Sequence, residues 1–199
     1  RIGYLIHEWV YIANCTQPKV VVLENVPEIQ QSDVFLNALI RLRRNYKCLS
    51  RTLSSDNFGV PQKRRRTIVI GIRKDICERL NIINEEDDIL KIFPKESSYE
   101  NNLKDAFEGL EINQEEEEYL LESCRKSVAY EVIKQIQFDP PKVYRLNFTN
   151  KKFKNMYFNT NRSSWYKPCS TLTQTGNQSS GLGGIYHPSK NRKFTIGEM

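Results

Sequence analysis

The chain has 199 residues and a mass of 23.4 kDa, enough for one hydrophobic core or for one domain with a smaller module. Its 39% hydrophobic and 11% aromatic content is typical of a globular protein and excludes a disordered one. No apolar run approaches the roughly 20 residues that cross a bilayer, so we expect no membrane span, and the first residues carry no signal-peptide pattern.

The cysteine and histidine content argues against a disulfide framework and against a zinc site. The five cysteines are far apart in sequence, no CxxC pair occurs, and there are only two histidines. We therefore expect no bound metal and a reducing setting: the cytoplasm, with association to the nucleoid in a bacterium, or the nucleus in a eukaryote.

Charge is unevenly distributed along the chain. Residues 1–75 carry 13 Lys and Arg against 6 Asp and Glu, residues 76–122 carry 4 against 15, and residues 123–199 carry 13 against 3. Two basic segments separated by an acidic one indicate a polyanionic partner such as nucleic acid. An uneven solvated surface would give the same counts, so charge alone does not decide between the two.

The first 75 residues are predicted to form an α/β unit. In chain order, the expected elements are a helix over residues 4–14, a strand over 20–23, a helix over 33–44 capped by Ser32, and strands over about 46–53 and 66–73. Residues 20–23 are apolar on both faces, which is typical of a central parallel strand covered by helices on both sides. Only one short helix precedes this strand, so we expect the chain to be the second half of a larger α/β domain.

The rest of the chain changes character twice. Residues 76–135 are acidic and predicted helical, and the glutamate run at 115–118 is interpreted as a charge cluster that favours a helix N-terminus. From Pro140 onward the chain is basic, aromatic and rich in loops, and it includes a glycine-rich segment at 176–184.

Two clusters of residues carry candidate chemistry. Glu24 ends the predicted central strand, at the sheet edge where open α/β folds build their sites. Residues 62–66, with the sequence QKRRR, come directly before an apolar strand. Alternation along that strand predicts that Arg64 and Arg66 share a face with Gln62. A solvated basic edge is the simpler interpretation, but arginines close to a carboxylate fit binding of a polar planar ligand better.

These clusters resemble motifs of the DNA cytosine-5 methyltransferase family. The segment VVVLENVPEI (20–29) is similar to the family's ENV strand end, and NFGVPQKRRRTIVIGIR (57–73) is similar to its Q-x-R-x-R motif. The segments KPCSTLT, GNQSSGLGGIYHP and NRKFTIGEM resemble the end of the target recognition domain and the R-x-F-T-x-x-E motif that follows it. The motifs occur in the family's order, which makes the resemblance specific.

The resemblance implies a C-terminal portion of a Rossmann-like methyltransferase sheet plus a target recognition domain. By this interpretation residues 1–75 are the second half of the catalytic domain, residues 76–185 are the recognition domain with its acidic insert, and residues 186–199 return to the catalytic domain. The reaction implied is extrusion of a cytosine from the duplex and methylation of its C5 from S-adenosylmethionine.

The resemblance also implies roles for individual residues. Glu24 would contact N3 and the exocyclic amine of the cytosine, while Arg64 and Arg66 would hold the base at O2. Asn25 would organise the turn after the strand. The residues expected to contact DNA are Asn25, Gln62, Lys63, Arg65, Thr171, Leu172, Gln174, Thr175, Asn177 and Gln178. Further phosphate contacts are expected from Lys151, Lys152, Lys154 and Arg162.

The chain departs from the family pattern in one important respect. The glycine-rich cofactor loop and the Pro-Cys nucleophile loop, which the family carries before its ENV motif, have no counterpart here. Cys169 follows Pro168, but its position after the Q-x-R-x-R motif places it in the recognition domain, so we do not interpret it as the nucleophile. The cofactor-binding residues are therefore unknown, and the chain alone is expected to be inactive.

The expected partners are double-stranded DNA and the N-terminal half of the methyltransferase, in the same or a separate chain. Two alternatives stay open. The chain could be a non-catalytic or split-subunit protein that binds DNA sequence-specifically, or a relative that methylates cytosine in tRNA.

Overall fold

The structure is a computed structural model that describes residues 2–99, 101–127, 130–134, 138, 160–172 and 184–199. It divides into two compact units. The first unit comprises Arg1–Phe58 and Arg65–Ser97, and the second comprises Gly59–Arg64 and Ser98–Met199. In the described part of the chain, every helix is too short or too polar to cross a membrane.

The elements are mostly short. The α-helices are α1 Leu5–Thr16, α2 Asp33–Leu42, α3 Lys74–Arg79, α4 Glu85–Leu90, α5 Leu103–Phe107, α6 Gln114–Lys126 and α7 Tyr130–Ile133. The strands are β1 Val20–Asn25, β2 Tyr46–Ser54, β3 Gln62–Lys63, β4 Arg65–Arg73, β5 Thr160–Arg162, β6 Cys169–Ser170 and β7 Gly184–Tyr186. Turns of 3-10 helix cover Ile2–Tyr4, Pro27–Gln31, Ser55–Phe58 and Ile196–Glu198.

Local sequence signals explain where the first helices begin and end. The Ser32 hydroxyl accepts the backbone N–H of Phe35, so the predicted N-cap of α2 is confirmed. Gln17 ends α1 in a left-handed conformation and Pro18 follows it, so the helix cannot continue.

The first unit is built on a three-stranded sheet in the order β1-β4-β2. β4 pairs antiparallel with both neighbours, and Gly71 lies opposite Val21 on one side and Cys48 on the other. The strands expected at residues 20–23, 46–53 and 66–73 are therefore confirmed. Among the described residues β1 pairs with β4 only, so its other edge forms no ladder.

The expectation that residues 20–23 are buried on both faces is wrong for this sheet. Val21 is buried, whereas Val20 and Val22 are 50% and 58% exposed. Antiparallel pairing places Val21 on the face covered by α1 and α2, and it places Val20 and Val22 on the opposite face. There they lie at the free edge of the sheet, outside the cluster that covers the middle of that face.

Each face of the sheet carries its own hydrophobic cluster. On one face, α1 and α2 pack through residues such as Val10, Phe35 and Leu42. On the other face, Ile70 and Ile72 pack against the following residues from α3, α4 and the segments beside them: Cys77, Ile82, Ile89 and Phe93. Because this second layer belongs to the sheet, the first unit extends to Ser97.

In both helices of the first layer, α1 and α2, the buried face is narrower than the apolar face of the sequence. Leu36 and Ile40 of α2 are 50% and 61% exposed. Leu5 and Ile12 of α1 are similarly exposed, at 69% and 57%. A helix lying on a small sheet buries one stripe of side chains, and these four side chains lie outside that stripe.

In the described part of the second unit, strands form two short parallel pairs, β3 with β6 and β5 with β7. Leu103, Cys169, Ile185 and Phe194 form its main described cluster, against which Trp165 packs. Residues 186–199 pack within this unit, since Tyr186 bridges to Lys193 and β7 pairs with β5. The assignment of these segments to catalytic and recognition domains stays a prediction.

We expect Gly71→Ala to lower the free energy of unfolding by about 1–3 kcal/mol. An added Cβ would lie 2.7 Å from Val21 Cγ2, and the β-branched valine cannot rotate away freely. Urea unfolding of this chain measures the effect.

Gly3→Ala is the matched control, because its Cβ would meet only Val34 Cγ1 at 3.8 Å. The double variant Gly71→Ala with Val21→Ala should lose less stability than the two single changes added together. Strict additivity would show that the two positions do not clash.

Candidate functional site

Glu24 and Arg66 meet at one end of the first unit's sheet. Glu24 lies opposite Ile68 in the β1–β4 register, and Arg66 lies two residues before Ile68 on the same face of β4. Arg66 Nε is 2.6 Å from Glu24 Oε1, and the side chains are 23% and 55% exposed. Arg66 also donates from Nη1 to its neighbour's carbonyl, Arg65 O, at 2.8 Å. The guanidinium therefore orients the carboxylate while leaving it open to a ligand.

The turn after β1 is fixed by two side-chain amides. Asn25 Oδ1 accepts the N–H of Val26 at 2.8 Å, which fits the expectation that Asn25 organises this turn. Gln30 Nε2 donates to Thr52 Oγ1 at 3.1 Å and to Thr67 Oγ1 at 3.0 Å. Thr67 is fully buried, so Gln30 anchors the turn to the inner face of the sheet. Sequence reasoning missed Gln30, because nothing in the pattern distinguishes it from the adjacent Gln31.

The run QKRRR does not form one continuous strand. β3 ends at Lys63 and β4 begins at Arg65, so the exposed Arg64 lies between two strands. β3 pairs with β6 in a separate sheet, so the alternation expected to place Arg64 and Arg66 on one face with Gln62 does not run through a single strand. Gln62 and Lys63 belong with Arg64 to the second unit, whereas the exposed Arg65 belongs to the first.

Two of the expected DNA-contacting residues of the later segment can be located. Thr171 Oγ1 donates to the carbonyl of Lys63 at 2.8 Å, which fastens residue 171 to the end of β3. Leu172 is half-buried against the cluster of Leu103 and Phe194. The other expected contacts, Gln174, Thr175, Asn177 and Gln178, lie outside the described residues, as do Lys151, Lys152 and Lys154.

A buried ion network holds the second unit together. Arg192 is fully buried and donates from Nη1 and Nη2 to the two oxygens of Glu198, at 2.6 and 2.8 Å. Its Nε donates to Glu117 Oε1 at 2.6 Å, and Lys190 Nζ reaches the same oxygen at 2.5 Å. Glu198 also accepts the N–H of Thr195 in a capping box. The network ties α6 to the C-terminal segment.

The glutamate run at 115–118 thus does more than favour a helix dipole. Glu117 binds two cations, and Glu116 Oε1 accepts the N–H of Ile196 at 2.8 Å. Burial alone would raise the pKa of Glu117, but hydrogen bonds from Lys190 and Arg192 hold it below its ordinary value. The pKa of Glu198 is lowered in the same way: burial opposes the shift, and the bonds from Arg192 outweigh it.

His187 is a packed, neutral side chain. Burial, together with the charge of Arg192, lowers its pKa from 6.5 to about 4. Its Nδ1 accepts the N–H of Ser189 at 3.1 Å, and its ring stands edge-on to Trp165 with centroids 5.1 Å apart. These contacts agree with a packing and capping role for His187 rather than a catalytic one.

Arg162 is not available for the phosphate contact expected of it. It is 1% exposed, and its Nη atoms donate to the carbonyls of Ile133, His187 and Lys190 and to Asn191 Oδ1. Burial lowers its pKa to about 10, so the guanidinium remains charged at neutral pH. In this structure it joins β5 to α7 and to residues 187–191 of the second unit.

Cys169 is a buried thiol in the core of the second unit. It is 4% exposed, and burial raises its pKa to about 11. A thiol that stays protonated at neutral pH is a poor nucleophile, which supports the interpretation of Cys169 as structural.

The family model described as C-5 cytosine-specific DNA methylase matches residues 1–199, and the chain belongs to this family. No curated protein sequence matches the chain.

Two solved structures show the same fold. An E. coli prophage-encoded protein, assigned as a DNA modification methyltransferase, is 18% identical with a TM-score of 0.60, over 98% of this chain and 62% of that one. The Dnmt2 methyltransferase of S. pombe is 17% identical with a TM-score of 0.51, over 85% of this chain and 44% of that one. The predicted mixed α/β methyltransferase fold is thereby confirmed, and the chain spans less than two thirds of either protein.

We expect Glu198→Gln to destabilise the second unit by about 3–5 kcal/mol, because it leaves the buried Arg192 short of its balancing charge. Chemical denaturation followed by circular dichroism measures the loss. Glu122→Gln is the matched control, since Glu122 makes an exposed i,i+4 pair with Lys126 and its replacement should cost about 0.5 kcal/mol or less. Equal losses in the two variants would show that burial of the network contributes nothing.

The depressed pKa of His187 predicts how stability depends on pH. In the unfolded chain His187 takes up a proton below about pH 6.5, whereas in the folded protein it takes up that proton only near pH 4. This histidine therefore contributes a loss of stability as pH falls through that window. His187→Asn, whose Oδ1 can still accept the N–H of Ser189, should flatten the wild-type slope between pH 6.5 and 5 in a series of denaturation curves. An unchanged slope would mean that His187 titrates normally in the folded protein.

Proposed function

We propose that this chain supplies the base-holding and sequence-reading residues of a DNA cytosine C5-methyltransferase. The observation that carries the proposal is the Glu24–Arg66 contact of 2.6 Å at the end of the sheet, in a chain of the C-5 cytosine-specific DNA methylase family. In this function the enzyme turns a target cytosine out of the duplex, and S-adenosylmethionine supplies the methyl group for C5.

Glu24 and Arg66 are suited to the two polar edges of a cytosine. A carboxyl group can donate to N3 when protonated and accept from the exocyclic amine, which orients the ring. The guanidinium of Arg66 can donate to O2 and still hold the carboxylate, because it has five N–H donors in a planar fork. The half-exposed Glu24 leaves room for the base at this position.

The remaining expected contacts are assigned to the DNA itself. Arg64 is proposed as a second arginine at the base, and the exposed Lys63 and Arg65 as phosphate contacts that fix the register of the duplex. Asn25 contributes to the DNA contact by fixing the turn after β1, and Gln62 by its place in the β3–β6 pair. Thr171 contributes through its hydrogen bond to Lys63 at the end of β3. We propose that the segment containing Gln174, Thr175, Asn177 and Gln178 reads base edges in the major groove.

The rest of the catalytic domain is proposed to pack on the free side of β1. Val20 and Val22 are half-exposed there, and the outer side of α1 exposes the large apolar residues Leu5, Tyr11 and Ile12. Apolar side chains in a strand and a helix of this kind fit a further part of the sheet, with its own helices, in the same or a separate chain. We assign that part the cofactor loop and the nucleophilic cysteine, and we derive no step through the methyl donor from the residues of this chain.

A second candidate function is sequence-specific DNA binding without catalysis. The observation that favours it is the state of the chain's own cysteines, since Cys48, Cys77, Cys124 and Cys169 are buried and only Cys15, on α1, is exposed. A chain that acted alone would then bind DNA and methylate nothing. Methylation of tRNA cytosine is a further alternative, and it is distinguished by the substrate used below.

In the complete enzyme, we expect Glu24→Gln and Arg66→Ala each to slow methyl transfer by about 10²-fold or more, with little change in the affinity for DNA. Both changes remove contacts to the base rather than to the phosphates. The assay follows radiolabelled methyl groups from S-adenosylmethionine into duplex DNA and into tRNA, alongside equilibrium DNA binding.

Arg65→Ala is the matched control for this experiment. Loss of an exposed phosphate contact should weaken binding to every DNA sequence alike and leave the rate at saturating DNA nearly unchanged. If Arg66→Ala behaves like Arg65→Ala, the base-holding role is wrong. Methylation of tRNA in place of DNA would favour the tRNA alternative, and binding without methylation by the complete enzyme would favour the non-catalytic one.

A further inference from the structure

A cavity of about 910 Å³ lies in the first unit, between the end of β2 and the segment that follows α4. The apolar part of its wall is formed by Leu53, Phe58, Leu90, Phe93 and Pro94. Phe93 and its neighbours belong to the cluster on the second face of the sheet, so this part of the wall is rigid. The cavity is within the size range of small-molecule sites in proteins.

Three cations and the carboxylates of Asp87 and Glu96 also line the cavity, and two of those cations form no ion pair with the described residues. Lys91, which also lines it, is paired with Asp88 at 2.9 Å, and Glu96 accepts a hydrogen bond from Asn57. Arg51 and Lys95 line the cavity as well, and neither side chain has an ion pair or hydrogen bond to the described residues. A partly apolar cavity with two cations that form no ion pair is complementary to a ligand that is both aromatic and anionic.

The cavity lies on the same sheet face as the Glu24–Arg66 pair. In the register of the sheet, Glu24, Ile68 and Arg51 form one row across the three strands. The next row pairs Arg66 with Leu53, which lines the cavity. A ligand in the cavity would therefore lie one strand away from the pair.

We propose that this cavity binds one nucleotide. Its base lies against Phe58 and the neighbouring apolar wall, and its phosphate is bound by Arg51 and Lys95. The nucleotide could be free in solution or part of a nucleic-acid strand, because both present the same base and phosphate. The inference goes beyond the proposed function: it assigns a second nucleotide site, and binding there requires no methyl transfer.

The test is calorimetric titration of the full chain with two probes, AMP and a single-stranded oligonucleotide of four adenylates. Arg51→Gln and Lys95→Gln should each weaken binding of both probes by about tenfold or more, since each removes a charged partner of the phosphate. Lys74→Gln is the control, because it removes the same charge from an exposed position outside the cavity.

A second variant tests the site without changing its charge. Leu90 lines the cavity from α4 and is 37% exposed, so Leu90→Trp should fill the space without disturbing the core and should abolish binding. Ribose 5-phosphate, which lacks the base, should bind at least tenfold more weakly than AMP. Stronger binding of the oligonucleotide than of AMP would assign the site to a strand, and equal binding would assign it to a free nucleotide. The proposal is wrong if neither probe binds, if Lys74→Gln weakens binding as much as Arg51→Gln, or if Leu90→Trp leaves binding intact.

Discussion

The antiparallel pairing of β4 with both β1 and β2 is the constraint on which the first unit depends. It brings Arg66, the second residue of β4, to within 2.6 Å of Glu24, which lies one residue before the end of β1 and 42 positions earlier in the sequence. A shift of the register by one residue would turn Arg66 to the opposite face of the sheet and away from Glu24. Gly71 permits this register, because any side chain there would meet Val21. The geometry of the candidate site is thus set by the sheet and not by a loop.

The second unit relies on charge where the first relies on apolar packing. Its described hydrophobic clusters are small, and Arg162 and Arg192 are the largest fully buried side chains among the described residues. A buried guanidinium is tolerated only when its N–H groups are paired, and Arg192 is paired by Glu117 and Glu198. Because these partners come from α6 and from the last 3-10 turn, the ion network fixes segments that are more than 70 residues apart in sequence.

Local signals in the sequence were sufficient for the elements of the first unit and for the family. Ser32 as a cap and the apolar run of β4 depend on neighbouring residues, and such patterns are visible in one chain. The exposure of Val20 and the break at Arg64 depend on which strand pairs with which, and no local pattern records that pairing. The same reason explains why Gln30 and the Glu117–Arg192 pair were missed: these contacts join residues 22 to 75 positions apart in sequence.

The two faces of the sheet differ at the end that carries Glu24, and this difference determines where a ligand can bind. On one face, Asn25, Thr67 and Thr52 form a polar row across the three strands. Gln30 donates hydrogen bonds to both threonine hydroxyls of this row, and Thr67 has no exposed surface. On the other face Glu24 is half-exposed and Arg51 has no partner among the described residues. The accessible carboxylate of Glu24 and guanidinium of Arg51 can still form hydrogen bonds with a ligand. The threonine hydroxyls of the other row are already hydrogen-bonded to Gln30. Any base or phosphate that reaches this end of the sheet must therefore approach from the face of Glu24 and Arg66.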